Sequence, residues 1–157
     1  MEINPDCVRD LMLFFEKHTT VIVHESGPIM STSFRKIRAN DICKFSGFQK
    51  YSSACIIYHI VQLSESEYIA SNFALDPAHG GGKFETPCIY YITPKGHELV
   101  ASIKDNVRWG GVSKVLKKLG GVSLSVIEAI SKGATSAFID KYAPSLVSDK
   151  NAAGMGT

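Results

Sequence analysis

Val8, Leu11, Met12 and Phe15 follow one another at three- and four-residue steps, which places them on one face of a helix. Asn4 is placed to cap that helix, Pro5 suits its first position, and Asp6 and Asp10 sit toward the positive end of its dipole. The helix should end near His18, because Thr19-Thr20-Val21-Ile22-Val23 begins a β-branched run. Ser26-Gly27-Pro28 signals a turn, and residues 31–37 alternate weakly. A small hairpin or one irregular strand is expected there.

Asn40 or Asp41 can cap a short second helix through Ile42, Cys43 and Phe45, closed by Ser46-Gly47. Ser52 and Ser53 then open a third helix over residues 54–63, which is unusually apolar. Two helices joined by a glycine-containing turn outline a helix-turn-helix. A strand over residues 67–75, a loop over 76–83 holding Gly80-Gly81-Gly82-Lys83, and a strand over 86–92 predict a hairpin with a glycine-rich tip. Three helices, a short strand and a hairpin are the parts of a winged helix.

The remainder reads as helical. Thr93-Pro94 begins a helix with Leu99, Val100 and Ile103, which runs on or bends near Gly110-Gly111 and resumes with Val112, Val115, Leu116 and Leu119. Gly120-Gly121 stops it. Ser123 or Ser125 caps a last helix reaching Phe138 and Tyr142, and a Ser/Ala/Gly-rich tail follows from Pro144. The expected class is α+β, mostly α: a winged helix-turn-helix over residues 4–104, a C-terminal helical extension over 105–143, and a flexible tail over 144–157.

Composition narrows the class without naming a job. Apolar residues make up 45% of the 157 and charged residues 20%, enough for one real core. The longest apolar runs are about five residues, far short of the ~18–20 that a membrane span needs. The acidic opening Met1-Glu2-Ile3-Asn4-Pro5-Asp6 lacks the basic start of a secretory signal. Cys7, Cys43, Cys55 and Cys88 show no metal-ligand spacing and read as small buried hydrophobes in a reducing cytosol. Net charge is +2, yet residues 34–50 and 104–118 carry +4 each, leaving −6 on the rest. Such segregation suits an anionic partner, although Lys-rich helix faces are often only solvated surface.

The stretch Tyr91-Ile92-Thr93-Pro94-Lys95-Gly96-His97-Glu98-Leu99-Val100 resembles the second wing strand and following helix of winged-helix proteins. Together with Ile103-Lys104-Asp105, Trp109, Lys117-Lys118-Leu119-Gly120-Gly121, Ser123-Leu124 and the third-helix run Ile57-Tyr58-His59-Ile60, it resembles an uncharacterised family. That family comprises short bacterial and phage proteins known only as a domain of unknown function, sometimes called YjcQ-like. The likeness covers roughly residues 4–18 and 40–140. Residues 19–37 are longer than that family's link, and Gly110-Gly111 replaces its usual non-glycine pair. The resemblance implies a winged helix with a helical extension and no settled activity.

Chemistry is sparse. His97 beside Glu98 cannot form a dyad with it, since helix neighbours diverge by about 100°; a hydrogen bond across the wing–helix junction is the expectation for His97. Gly80-Gly81-Gly82-Lys83 lacks phosphate-loop spacing. The five histidines form no zinc motif, and no cysteine stands in a catalytic signature. Trp109 should be buried. No enzyme, metal or cofactor is expected.

Two readings remain. In the first, a nucleic-acid-binding or regulatory protein holds duplex DNA weakly or non-specifically. Arg35, Lys36, Arg38, Lys44, Lys50 and Lys83 would meet phosphates, Ser52 and Ser53 would sit at the third helix's start, and His59 and Gln62 could reach base edges. Residues 52–63 contain no Arg, Lys or Asn, so readout should be poor. In the second, the apolar third helix serves a protein partner or a homodimer, without DNA binding. A polar, basic outer face on the third helix would favour the first, an apolar one the second.

Overall fold

A computed structural model describes residues 1–72 and 87–133. Helix α1 (Pro5–His18) begins as its residues dictate: the Asn4 side chain accepts from the N–H groups of Asp6 and Cys7, and Pro5 occupies the first turn. Cys7, Val8, Leu11, Met12 and Phe15 are fully buried. Each large apolar side chain so buried stabilises by about 1.5–3 kcal/mol relative to exposure. The helix lies at the centre of the molecule, against the third, fourth and fifth helices and the last strand.

The β-branched run resolves into a hairpin. Strands β1 (Val21–Ser26) and β2 (Ile29–Phe34) pair antiparallel around Gly27 and Pro28, with Val21 opposite Phe34 and Glu25 opposite Met30. Gly27 has φ +64°, a value open to glycine at the first central position of a tight hairpin turn.

Strand β3 (Ile37–Arg38) runs directly into helix α2 (Ala39–Ile42). Neither Asn40 nor Asp41 caps it, as the sequence had suggested; both lie inside. The chain is still extended at Arg38, and the first helical N–H, that of Ala39, donates to Pro87 O across the sheet at 2.8 Å. A single 3-10 turn, Ser46–Phe48, leads to helix α3 (Ser53–Glu65), capped by the Ser52 hydroxyl, which accepts from Cys55 N–H. The helix is longer than residues 54–63 at both ends.

Strand β4 (Ile69–Ser71) and strand β5 (Cys88–Ile92) pair antiparallel with an irregularity at Ala70/Ser71, and β3 adds to the other side of β5. The sheet order is β3-β5-β4. The glycine-rich segment 76–83 lies outside the described residues.

Helix α4 (Pro94–Ile103) is capped by Thr93, whose hydroxyl accepts from Gly96 N–H and donates to Glu67 O. The helix expected to run on or bend near Gly110-Gly111 does neither there; it is broken at Lys104-Asp105. There the Asp105 carboxylate caps helix α5 (Asn106–Leu119), accepting from Arg108 N–H at 2.7 Å, and both glycines fall within that helix. Gly120 ends it, and helix α6 (Leu124–Gly133) follows, with the Ser123 hydroxyl accepting from Val126 N–H. Residues 134–157 lie outside the described residues. One apolar cluster contains α1, the inner side of α3, β5 and α4, together with Trp109, Val112, Leu116, Leu124 and Ile127 of α5 and α6.

Candidate nucleic-acid interface

Arg35, Lys36 and Arg38 stand where the β1–β2 hairpin joins the sheet. All three are exposed. Arg35 N–H donates to Thr20 O at 3.0 Å, extending the hairpin ladder by one step, and Arg38 pairs with Cys88 on the sheet edge. Among the described residues none of the three has a carboxylate partner. Lys44 lies 3.7 Å from Asp41, a solvated i,i+3 pair worth little.

Lys50 is differently placed. Its ammonium is 2.7 Å from Asp10 of α1 and 5.0 Å from the Tyr51 ring centre, while Tyr51 OH donates to the same Asp10 oxygen at 2.8 Å. Burial, and next the bond to Asp10, push the Tyr51 hydroxyl well above its ordinary pKa. Lys50 therefore ties the start of α3 to α1. Ser52 spends its hydroxyl on the cap and Ser53 is exposed. Lys83 lies outside the described residues.

The two base-edge candidates do not face a groove. Gln62 is half-buried and lines a cavity of about 370 Å³ with Tyr58, Ser66, Lys95 and Ser123, toward the link between α5 and α6. His59 is fully buried. Its Nε2 accepts from the Asn4 backbone N–H at 2.7 Å, so the proton sits on Nδ1 and is donated to Cys55 O, also at 2.7 Å. Burial holds its pKa below 6.5, against an upward pull from the Cys55 carbonyl. The only formal charge on α3 is Glu65. Ala54 is exposed, and Ile57, Tyr58 and Val61 are half-buried, so the outer face is apolar with an acidic end.

The second basic stretch is partly paired: its four lysines are all exposed, and Lys114 and Lys118 have no carboxylate partner among the described residues. Lys104 lies 3.4 Å from Glu16, Lys117 2.8 Å from Asp6, and Arg108 donates to Ser131 O. Asp6 also accepts from Trp109 Nε1 at 3.1 Å and from Ser113 Oγ at 3.2 Å. Burial raises the Asp6 pKa, but the bonds from Lys117, Trp109 and Ser113 outweigh it and the net shift is downward. Trp109 is buried as expected, with Arg9 5.6 Å from its ring centre. His97 departs from expectation: it is exposed and its ring makes no hydrogen bond among the described residues, and Thr93 instead links Glu67 to the first turn of α4.

The fold also assembles a cluster that the linear spacing concealed. The ligand atoms of Cys7, Cys55 and His59 lie within 4.8 Å of one another. Cys55 and His59 are four apart on α3, a helical spacing that could have signalled the pair, but Cys7 arrives from α1. A Cys₂His set suits zinc or another soft ion only if the thiols ionise and the imidazole offers a lone pair. Burial, then the neighbouring Cys55, pushes the Cys7 thiol far up. In this arrangement the imidazole lone pair is committed to Asn4 N–H, and the cluster joins α1 to α3.

A family model described as Hypothetical protein (DUF2513) matches residues 2–123. This agrees with the resemblance to a family of unknown function, although the YjcQ-like label and a phage origin rest on the resemblance alone. No curated protein and no solved structure matches the chain. Among the described residues no helix is long and apolar enough to cross a membrane.

Proposed function

The chain belongs to the DUF2513 family of hypothetical proteins, and on that premise we propose that it is a winged-helix, DNA-binding regulator that grips duplex DNA by its phosphates without reading base edges. The order α1, β3, α2, α3, β4, β5, with β5 between the other two strands, supports the winged-helix reading. One observation carries the DNA reading. Arg35, Lys36 and Arg38 are three exposed cations within four residues and have no carboxylate partner among the described residues, whereas Lys50, Lys104, Lys117 and Lys132 each hold one within 3.4 Å. Cations left unpaired on one edge are free to displace counterions from a phosphate backbone.

The test is fluorescence anisotropy on an arbitrary duplex at several salt concentrations. With Lys44 added to the three, four contacts predict a slope of log K against log salt near −3.6, at about −0.9 per phosphate. Replacing Arg35, Lys36 and Arg38 with Ala should remove most of that slope, and binding should be nearly independent of sequence. No binding at ~50 mM salt overturns the reading, because a backbone contact is strongest there. The apolar outer face of α3 favours a second reading, a protein-interaction module. That reading stands if DNA binding is absent.

A further inference from the structure

The first turn of α1 is pinned to α3, with Asn4 N–H donating to His59 Nε2 at 2.7 Å. One turn from either end of that bond, Cys7 and Cys55 bring their sulfurs within 4.8 Å of one another. Each cysteine is the third residue of its helix, and a cap holds its N–H. Asn4 Oδ1 accepts from Cys7 at 3.2 Å and Ser52 Oγ from Cys55 at 3.1 Å. The pair is unequal: Cys7 is fully buried, whereas Cys55 is only half-buried. The Nδ1–H that His59 donates to the Cys55 carbonyl also lies 3.5 Å from the Cys55 sulfur. That N–H and the positive end of α3 are placed to stabilise charge developing on this sulfur. Cys43, by contrast, directs its S–H at the Ala39 carbonyl, 3.5 Å away. A disulfide is about 2.05 Å long, so the two sulfurs of the pair need approach by at most about 2.8 Å. A change between staggered rotamers moves a sulfur on that scale.

We propose that Cys7 and Cys55 are a redox-active pair, which a hydroperoxide converts to an intramolecular disulfide that joins α1 covalently to α3. Cys55 reacts first, because it is the sulfur that solvent reaches. Its thiolate attacks one peroxide oxygen; an S–O bond forms, the O–O bond breaks, and two electrons pass from sulfur to the peroxide. The displaced hydroxide takes up the proton that the thiol gave up and becomes water. Cys55 is then a sulfenic acid facing Cys7. The Cys7 sulfur attacks it, an S–S bond forms and the S–O bond breaks. The leaving hydroxide carries off the Cys7 proton as a second water. In sum, two thiols and one peroxide give one disulfide and two waters. Burial pushes the Cys7 thiol up, which makes it a poor first nucleophile and suits it to this second step, where the departing hydroxide removes its proton. The new bond spans the 47 residues between the two positions and so constrains the unfolded chain. A thiol reductant reverses it by exchange.

The proposal is independent of DNA binding and is tested without nucleic acid. The reduced full chain is treated with dilute hydrogen peroxide in native buffer, quenched, unfolded, alkylated at its remaining thiols and mapped by peptide mass. A Cys7–Cys55 linked peptide should appear, lighter by two hydrogens than its two parts, and free thiols should fall by two. The thermal midpoint should rise by about 5 °C or more and return after dithiothreitol. In Cys7→Ala, Cys55 should stop at the sulfenic acid and be trapped by dimedone; in Cys55→Ala, Cys7 should stay reduced. The wild-type map decides the matter even if either variant folds poorly. Full alkylation of both cysteines after peroxide overturns the proposal. So does Cys55 passing to the sulfinic acid with no link to Cys7, or a link that forms only in urea, since the two sulfurs would then not meet in the folded chain.

Discussion

The backbone of Gly96 presses on the carbonyl of Tyr68: a Cβ built on residue 96 would lie 2.0 Å from Tyr68 O and 2.5 Å from Ile92 Cγ2. The first turn of α4 thus sits directly on the β4–β5 pair, where Thr93 N–H donates to the same Tyr68 carbonyl at 3.2 Å. No rotamer change relieves a clash with backbone. Gly96→Ala should therefore cost about 3 kcal/mol, the upper end of ordinary overpacking, although alanine is the better helix former. Urea unfolding at neutral pH reads it directly. A stabilised Gly96→Ala variant would mean that α4 does not approach the sheet this closely.

Stability should weaken with acid in a window set by His59. Its folded pKa is depressed below 6.5. As pH falls below 6.5 the unfolded chain takes up a proton that the folded chain refuses, so the contribution is complete above 6.5 and is lost down to the folded value. His59→Leu should flatten that limb of the stability–pH curve. It should also cost about 1–3 kcal/mol at pH 7, since Asn4 N–H loses its acceptor. Denaturant titrations between pH 7 and 5 on both proteins measure the difference.

Asp6 gathers three donors from α5. Asp6→Ala orphans Trp109 Nε1 and frees Lys117, at an expected cost of about 1–2 kcal/mol, because the carboxylate is one-third exposed and its ion pair is partly screened. Its pKa lies below the ordinary 3.8, so this contribution is complete above that value and is lost as pH falls through the folded pKa. The Trp109 fluorescence of Asp6→Ala should shift toward that of a wetter indole. An unchanged spectrum would deny the contact.

Lys50 and Lys36 should separate in a DNA titration despite equal formal charge. Lys36→Ala should lower the salt slope by about 0.9, and Lys50→Ala by clearly less, because Asp10 already neutralises Lys50 at 2.7 Å. Equal losses would show that the Lys50–Asp10 pair opens on binding.

Addition of zinc to the reduced protein should leave its thermal midpoint unchanged, since a ligand raises the midpoint only by binding the folded state and His59 holds no free lone pair. A rise at micromolar zinc would mean that the imidazole changes tautomer and abandons Asn4.

Much of the fold was legible along the chain. Asn4, Ser52 and Thr93 act as caps because a short polar side chain reaches a backbone N–H only two or three residues away. Periodicity placed Val8, Leu11, Met12 and Phe15 inside, since helix geometry alone puts them on one face. Where local signals competed, packing chose: the helix break went to Asp105 rather than to Gly110-Gly111, because a carboxylate cap on Arg108 N–H ends one helix and starts the next. The candidate site was less legible. Five clustered cations could be counted and all five face solvent, but Asp10 pairs Lys50 at 2.7 Å, Lys44 is only loosely paired, and Arg35, Lys36 and Arg38 have no carboxylate partner among the described residues. The joining of Cys7 to His59, of Asp6 to Lys117 and of Gly96 to Tyr68 is decided in three dimensions. Each spans far more residues than one turn of helix, so no spacing encodes it; α1 packed against α3 and α5 brings the first two together, and α4 packed on the β4–β5 pair brings the third.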